Sequence, residues 1–155
     1  MSPAAKALAV ALALASTAAS AQTIDKKVLS LKAALKVAAA AEEAARTKGV
    51  DVVIVVVDDG GYPLVLQRMD GAQVASVNVG IGKARTAAIY RRPSKVFEDQ
   101  IRNGRVAALA LADATPLQGG VPIVLDGKVI GAIGVSGDSP QVDEDIAITG
   151  AKAFP

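Results

Sequence analysis

Apolar and polar positions along the chain change period several times, and each change marks a predicted element. From Ser30, apolar residues recur at helical steps (Leu31, Leu35, Ala38, Ala39, Ala45) while Glu42, Glu43, Arg46 and Lys48 take the other face. This predicts a helix that Ser30 caps and Gly49 ends. The run from Val50 to Val57 is apolar on both alternating faces, as expected of an interior strand with material on each side. Asp58-Asp59-Gly60-Gly61 then turns the chain into a second, more polar strand from Tyr62 to Met69. At Val74 the period becomes helical again: Val74, Val77, Ile81, Ala84 and Ala88 form a stripe, and Asn78, Lys83, Arg85 and Thr86 fall elsewhere. Gly80 and Gly82 would each cost such a helix about 1 kcal/mol relative to Ala, which points to close packing or a nearby ligand. A short polar helix is predicted from Ser94 to Asn103, closed by Gly104, before the small-residue segment "RVAALALADATPLQ".

The stretch "GGVPIVLDGKVIGAIGVSG", residues 119–137, is dense in glycine but matches neither a Walker loop nor a dinucleotide fingerprint. Val121 to Leu125 and Lys128 to Val135 are strand-like and flank Asp126-Gly127, a strong two-residue hairpin signal. Gly131 and Gly134 then lie inside a strand, where a missing side chain admits a helix, another backbone or a flat ligand. Ser139-Pro140 reads as a cap and first position of a terminal helix. Val142, Ile146, Gly150 and Phe154 form its buried stripe, and Asp143, Glu144 and Asp145 sit near its positive end.

The N-terminus follows a different logic. Lys6, the apolar run Ala7 to Ala15 and the small residues "STAASAQ" read as a secretory signal peptide, residues 1–21, cleaved after Ala19-Ser20-Ala21. The run is too short for a membrane span, which needs about 20 apolar residues. A single domain, residues 22–155, is expected outside the cytoplasm, in the periplasm or beyond, with no membrane contact after cleavage. Without Lys6, 16 of the 17 Lys and Arg remain against 15 Asp and Glu, so no nucleic-acid partner is implied. Cys, His and Trp are all absent. This excludes disulfides, Ser-His-Asp and Cys-His catalysis and c-type haem attachment, and no metal site is expected.

The stretches "VVVDDGGYPLVLQRMDGA", "GKARTAA", "TPLQGGVPIVLDGKVIGAIGVSG" and "DEDIAITGAKAF" together resemble the GlcG/HbpS family of haem-binding or haem-degrading domains, a group also similar to the C-terminal domain of PduO-type proteins. The resemblance runs from Leu29 to Phe154. It implies an α+β fold, a profilin-like three-layer α/β/α arrangement with a five-stranded antiparallel sheet. It also implies homo-oligomers built from dimers, up to octamers. Members are connected with haem binding and redox sensing, with haem breakdown, and with glycolate or diol catabolism; fold alone does not choose among these.

The side chains define three readings. In the first, an exported oligomer binds haem as cofactor: Lys83, Arg85, Arg91, Arg92 and Lys95 supply cations for the propionates. The family motif "GKARTAA" directs attention to Lys83, Arg85 and Thr86. Without His or Cys, the axial donors left are Tyr62, Tyr90 and Met69, and threonine coordination described within the family adds Thr86 and Thr115. In the second reading the protein is an enzyme or receptor for a carboxylate-type metabolite. Its pocket lies at a subunit interface, with the amides of Gly119 and Gly120 binding the anion and Asp143 or Glu144 moving protons. Asp58 and Asp59 are also available for proton transfer, but such a pair is more often turn chemistry alone. In the third reading the chain is an accessory subunit with no chemistry of its own.

Overall fold

A computed structural model describes residues 22–154, so the expected signal peptide, residues 1–21, lies outside the described part. Helix α1 (Leu31–Lys48) begins at Ser30, whose hydroxyl accepts the Ala33 N–H at 3.2 Å, and ends at Gly49 with φ of 68°. Only a residue without Cβ adopts that left-handed conformation cheaply. Strands β1 (Val53–Asp58) and β2 (Pro63–Arg68) form the expected first hairpin. Its turn is held by Asp58, whose Oδ1 accepts the N–H groups of Gly60 and Tyr62, both at 2.9 Å. Helices α2 (Ser76–Ile89) and α3 (Lys95–Arg102) follow, then a 3₁₀ turn at Val106–Ala110. Strands β3 (Gly120–Leu125) and β4 (Lys128–Ser136) make the second hairpin. Asp126 and Gly127 have φ of 51° and 73°, the pair of positive values that a two-residue primed turn requires. Helix α4 (Pro140–Lys152) closes the chain, with the Ser139 hydroxyl accepting the Val142 N–H.

The fold is a mixed α+β one, with four α-helices and a four-stranded antiparallel sheet of order β2-β1-β4-β3 among the described residues. The expectation of five strands is therefore corrected to four. The fifth was implied only by the resemblance. The four strand-like runs visible in the sequence are the four strands, and residues 105–119 fold as a 3₁₀ turn and loops. Strand β1 explains the layering. Ile54 and Val56 enter a core with α1 and α4, and Val53, Val55 and Val57 enter a second core with Ala84, Ala87 and Ala88 of α2. Both faces of β1 are thus dry, which its uninterrupted apolar run demands.

Two helix faces differ from the sequence pattern. On α1 the buried residues are Ala34, Val37, Ala38, Ala41 and Ala45, whereas Leu31 and Leu35 stay 55% and 50% exposed. Close approach is the reason: a Cβ on Gly150 of α4 would stand 3.0 Å from both Ala41 Cβ and the Val37 carbonyl, so only small residues fit this crossing. On α2, Val74 precedes the helix and is exposed, while Lys83 and Thr86 are buried because the 115–120 segment and α4 cover them. Glycine again sets the contact between layers: a Cβ on Gly134 of β4 would collide with the Gly80 carbonyl and the Ala84 amide of α2.

Candidate functional site

Most of the residues singled out from sequence converge where α2, β3, β4 and the start of α4 meet. Lys83 projects from α2 into the interior and donates to Asp143 Oδ2 at 2.8 Å and to the Val135 carbonyl at 2.9 Å. Their side chains are 5% and 3% exposed, so this is a fully buried ion pair. Asp143 Oδ1 accepts the Asp138 N–H at 3.0 Å, which ties the carboxylate to the turn before α4 as well as to Lys83. Burial of two charges is tolerated only when each finds such partners.

The glycine pair closes this pocket of charge. Gly119 has φ of +122°, and a Cβ there would crowd the Val135 carbonyl, Lys83 Nζ and Asp143. Gly120 lies against the Lys83 carbonyl, and its N–H donates at 2.8 Å to the Ser94 hydroxyl, which in turn donates to the Leu117 carbonyl at 2.6 Å. The Gly120 amide is therefore already committed within the fold. Thr86 and Thr115 are joined: the Thr115 N–H donates to Thr86 Oγ1 at 2.7 Å, and the Thr86 hydroxyl donates to the Gly82 carbonyl at 2.7 Å. Thr115 occupies the space that a Cβ on Gly82 would need, which accounts for glycine there. Glu144 accepts from Gln118 Nε2 at 2.6 Å, and the Gln118 N–H donates to Glu98 at the same distance.

Arg85 is the candidate that points elsewhere. Its Nε donates to the Gly61 carbonyl at 3.3 Å and its guanidinium lies 5.8 Å from the centroid of the Tyr62 ring. The remaining expected cations separate: Arg92 lies over the Phe97 ring at 5.8 Å, Lys95 pairs with Asp99 and Arg91 is exposed with φ of 55°. Among the oxygen and sulfur donors, the Tyr90 hydroxyl donates to the Ala112 carbonyl at 2.6 Å, whereas Tyr62 is 67% exposed. Met69 lines a separate cleft of about 330 Å³ between the ends of α1 and β2, beside Glu42, Arg46, Asp51 and Gln67. In that cleft the hydrogen bond from Arg46 to Glu42 holds the guanidinium above its ordinary pKa, and Gln67 Oε1 is buried without a partner.

Chemically, the Lys83–Asp143 centre holds two layers together through charge, with Gln118, Ser94 and Glu98 as supports. Sequence reasoning missed these last three. Ser94 reads only as the start of a short polar helix, but its hydroxyl serves Gly120 and Leu117; the polar pair Gln118 and Glu98 carries no local signal at all. Among the described residues no cluster of three or more carboxylates is placed to hold a metal ion, and no helix is long and apolar enough to cross a membrane.

Comparisons with known proteins bear on this geometry. The family model described as haem degrading protein HbpS-like matches residues 29–152. The protein GlcG of Escherichia coli strain K12 is 44% identical over 111 residues, covering 72% of this chain and 83% of that protein. Among solved structures, a double mutant of HbpS from Streptomyces reticuli is similar with a TM-score of 0.82 at 32% identity, covering 90% of this chain and 95% of that one. A PduOC structure solved as a heme complex is similar with a TM-score of 0.75 at 30% identity, over 82% of this chain and 95% of that one.

Proposed function

The chain belongs to the family of haem-degrading HbpS-like proteins, and from that premise we propose that it is an exported, self-associating protein that binds haem. One observation carries the haem reading: a protein sharing this fold over 82% of the chain forms a heme complex. Haem supplies an iron centre whose reactivity is set by the axial donor and by the polarity around it. With no His or Cys in 155 residues, this chain offers that iron neither imidazole nor thiolate. The residue types fit such a ligand in other respects, with surface arginines for carboxylates and exposed apolar side chains for a macrocycle.

Export is supported by the signal-like residues 1–21. Self-association is supported by large apolar side chains left at the surface, among them Leu31, Leu35, Val106 and Leu109. The carboxylate-metabolite reading has less support, because the Gly120 amide, Asp143 and Glu144 are each already paired inside the fold.

The test is a titration of residues 22–155 with haem, followed by the Soret band. A saturable shift at one haem per subunit or per dimer is expected, with a band position outside the range given by histidine or cysteinate ligation. A featureless response that never saturates removes haem as the ligand.

A further inference from the structure

The cleft between the ends of α1 and β2 encloses about 330 Å³ and has no part in the haem reading. Register explains its floor. Val65 and Gln67 pair with Val56 and Ile54, and Val65, Val56 and Ile54 all enter the core that α1 and α4 share, so Gln67 projects beneath α1. Its Oε1 is buried there, and among the described residues no group donates to it. A buried amide oxygen without a donor is costly, so a cleft that keeps one is suited to a ligand that brings an N–H group.

The walls are charged but unevenly matched. Glu42 and Arg46 satisfy each other, with Arg46 Nε and Nη2 donating to Glu42 Oε1 at 3.1 Å and 2.6 Å. Asp51, Arg68 and Asp70 also line the cleft, and among the described residues none of the three takes part in an ion pair. Asp51 keeps its place because Gly71 has no side chain: a Cβ there would collide with the carboxylate. The cleft therefore presents two free carboxylates and an amide oxygen to a cation, and one free guanidinium to an anion.

We infer that this cleft binds a small amino acid, its ammonium donating to Gln67 Oε1 and to the carboxylates of Asp51 and Asp70, and its carboxylate meeting Arg68. Neither charge alone suits both walls. A simple amine leaves Arg68 unanswered, whereas a simple carboxylate faces Asp51 and Asp70 and brings Gln67 no donor. The Arg68 guanidinium can take a carboxylate through two parallel N–H groups. An adjoining hollow lined by Gly49, Val50 and Met69 gives a short carbon chain apolar contact. The site lies apart from Gly119 and Gly120 and is independent of haem.

The experiment is a calorimetric titration of the purified protein with L-alanine, β-alanine and γ-aminobutyrate, with 1-aminopropane and propionate as single-charge controls. At least one amino acid is expected to saturate at one per subunit and to bind about tenfold or more tighter than either control. Gln67→Leu should weaken that binding by about tenfold or more while melting no lower than wild type, since it removes the buried oxygen that lacks a donor. Arg68→Gln, at the exposed rim, should weaken the amino acid similarly and leave 1-aminopropane unchanged. Equal binding of 1-aminopropane and the amino acids overturns the amino-acid assignment. No saturation with any of the three, or binding that both variants leave unchanged, overturns the site itself; neither result touches the haem titration.

Discussion

Lys83 shows how far a residue's surroundings can depart from its sequence pattern. It lies off the apolar stripe of α2 and reads as a solvated cation for an anionic ligand, yet it is sealed against Asp143 and the Val135 carbonyl. No local signal distinguishes the two situations, because its partner is 60 residues away in α4. Asp143 misleads in the same way: near the N-terminus of a helix its charge is explained by the dipole, although its larger partner is a buried ammonium. The pair makes a sharp prediction. Lys83→Met leaves a carboxylate uncompensated in the interior and should cost about 3–5 kcal/mol in urea unfolding. Adding Asp143→Leu should recover most of that loss, because apolar groups of similar volume replace a buried pair at little net cost. Additive losses in the double mutant would mean that the two charges do not stabilise each other in solution.

Elements were more legible than faces. Both hairpins announce themselves through turn chemistry, Asp58 to Gly61 and Asp126-Gly127, since short turns need particular residues whatever surrounds them. The apolar run of β1 was readable for a similar reason: a strand without a polar face must be covered twice. Which face α1 buries was not readable, because the choice fell to alanines that let α4 approach at Gly150 rather than to the larger leucines. The contact of α2 with β4 works the same way and can be tested. Gly134→Ala places a methyl against the Gly80 carbonyl and the Ala84 amide, backbone atoms that cannot swing aside. A loss of about 3 kcal/mol is expected in thermal or urea unfolding, at the upper end for overpacking. A neutral outcome would show that α2 can ride higher on the sheet than it does here.

For the whole molecule, the chain's identity rests on long stretches rather than on single residues, which is why the family was legible when the site was not. Among the described residues the sheet has four strands where the resemblance implied five, so even a correct family carries details that each member must be asked for. Export and assembly belong to this scale too. When the full chain is produced in a bacterium with a secretion pathway, the intact mass of the exported protein should correspond to a chain beginning at Gln22. Sedimentation equilibrium of that protein should give a multiple of the subunit mass, as its exposed apolar side chains favour. Retention of residues 1–21 would overturn the signal reading, and a monomer at every concentration would overturn self-association.

By itself the sequence determined whatever depends on neighbours along the chain: the capped helices, the two hairpins, the doubly covered strand, the absence of His and Cys, and the motifs that mark the family. Only the tertiary structure decided which charges are buried and which hydroxyls are occupied. Those outcomes depend on residues tens of positions apart, such as Lys83 with Asp143 and Arg85 with Gly61. Pairing across such distances is set by how layers pack, and in this protein the glycines of β4 and α4 govern how closely the layers come together.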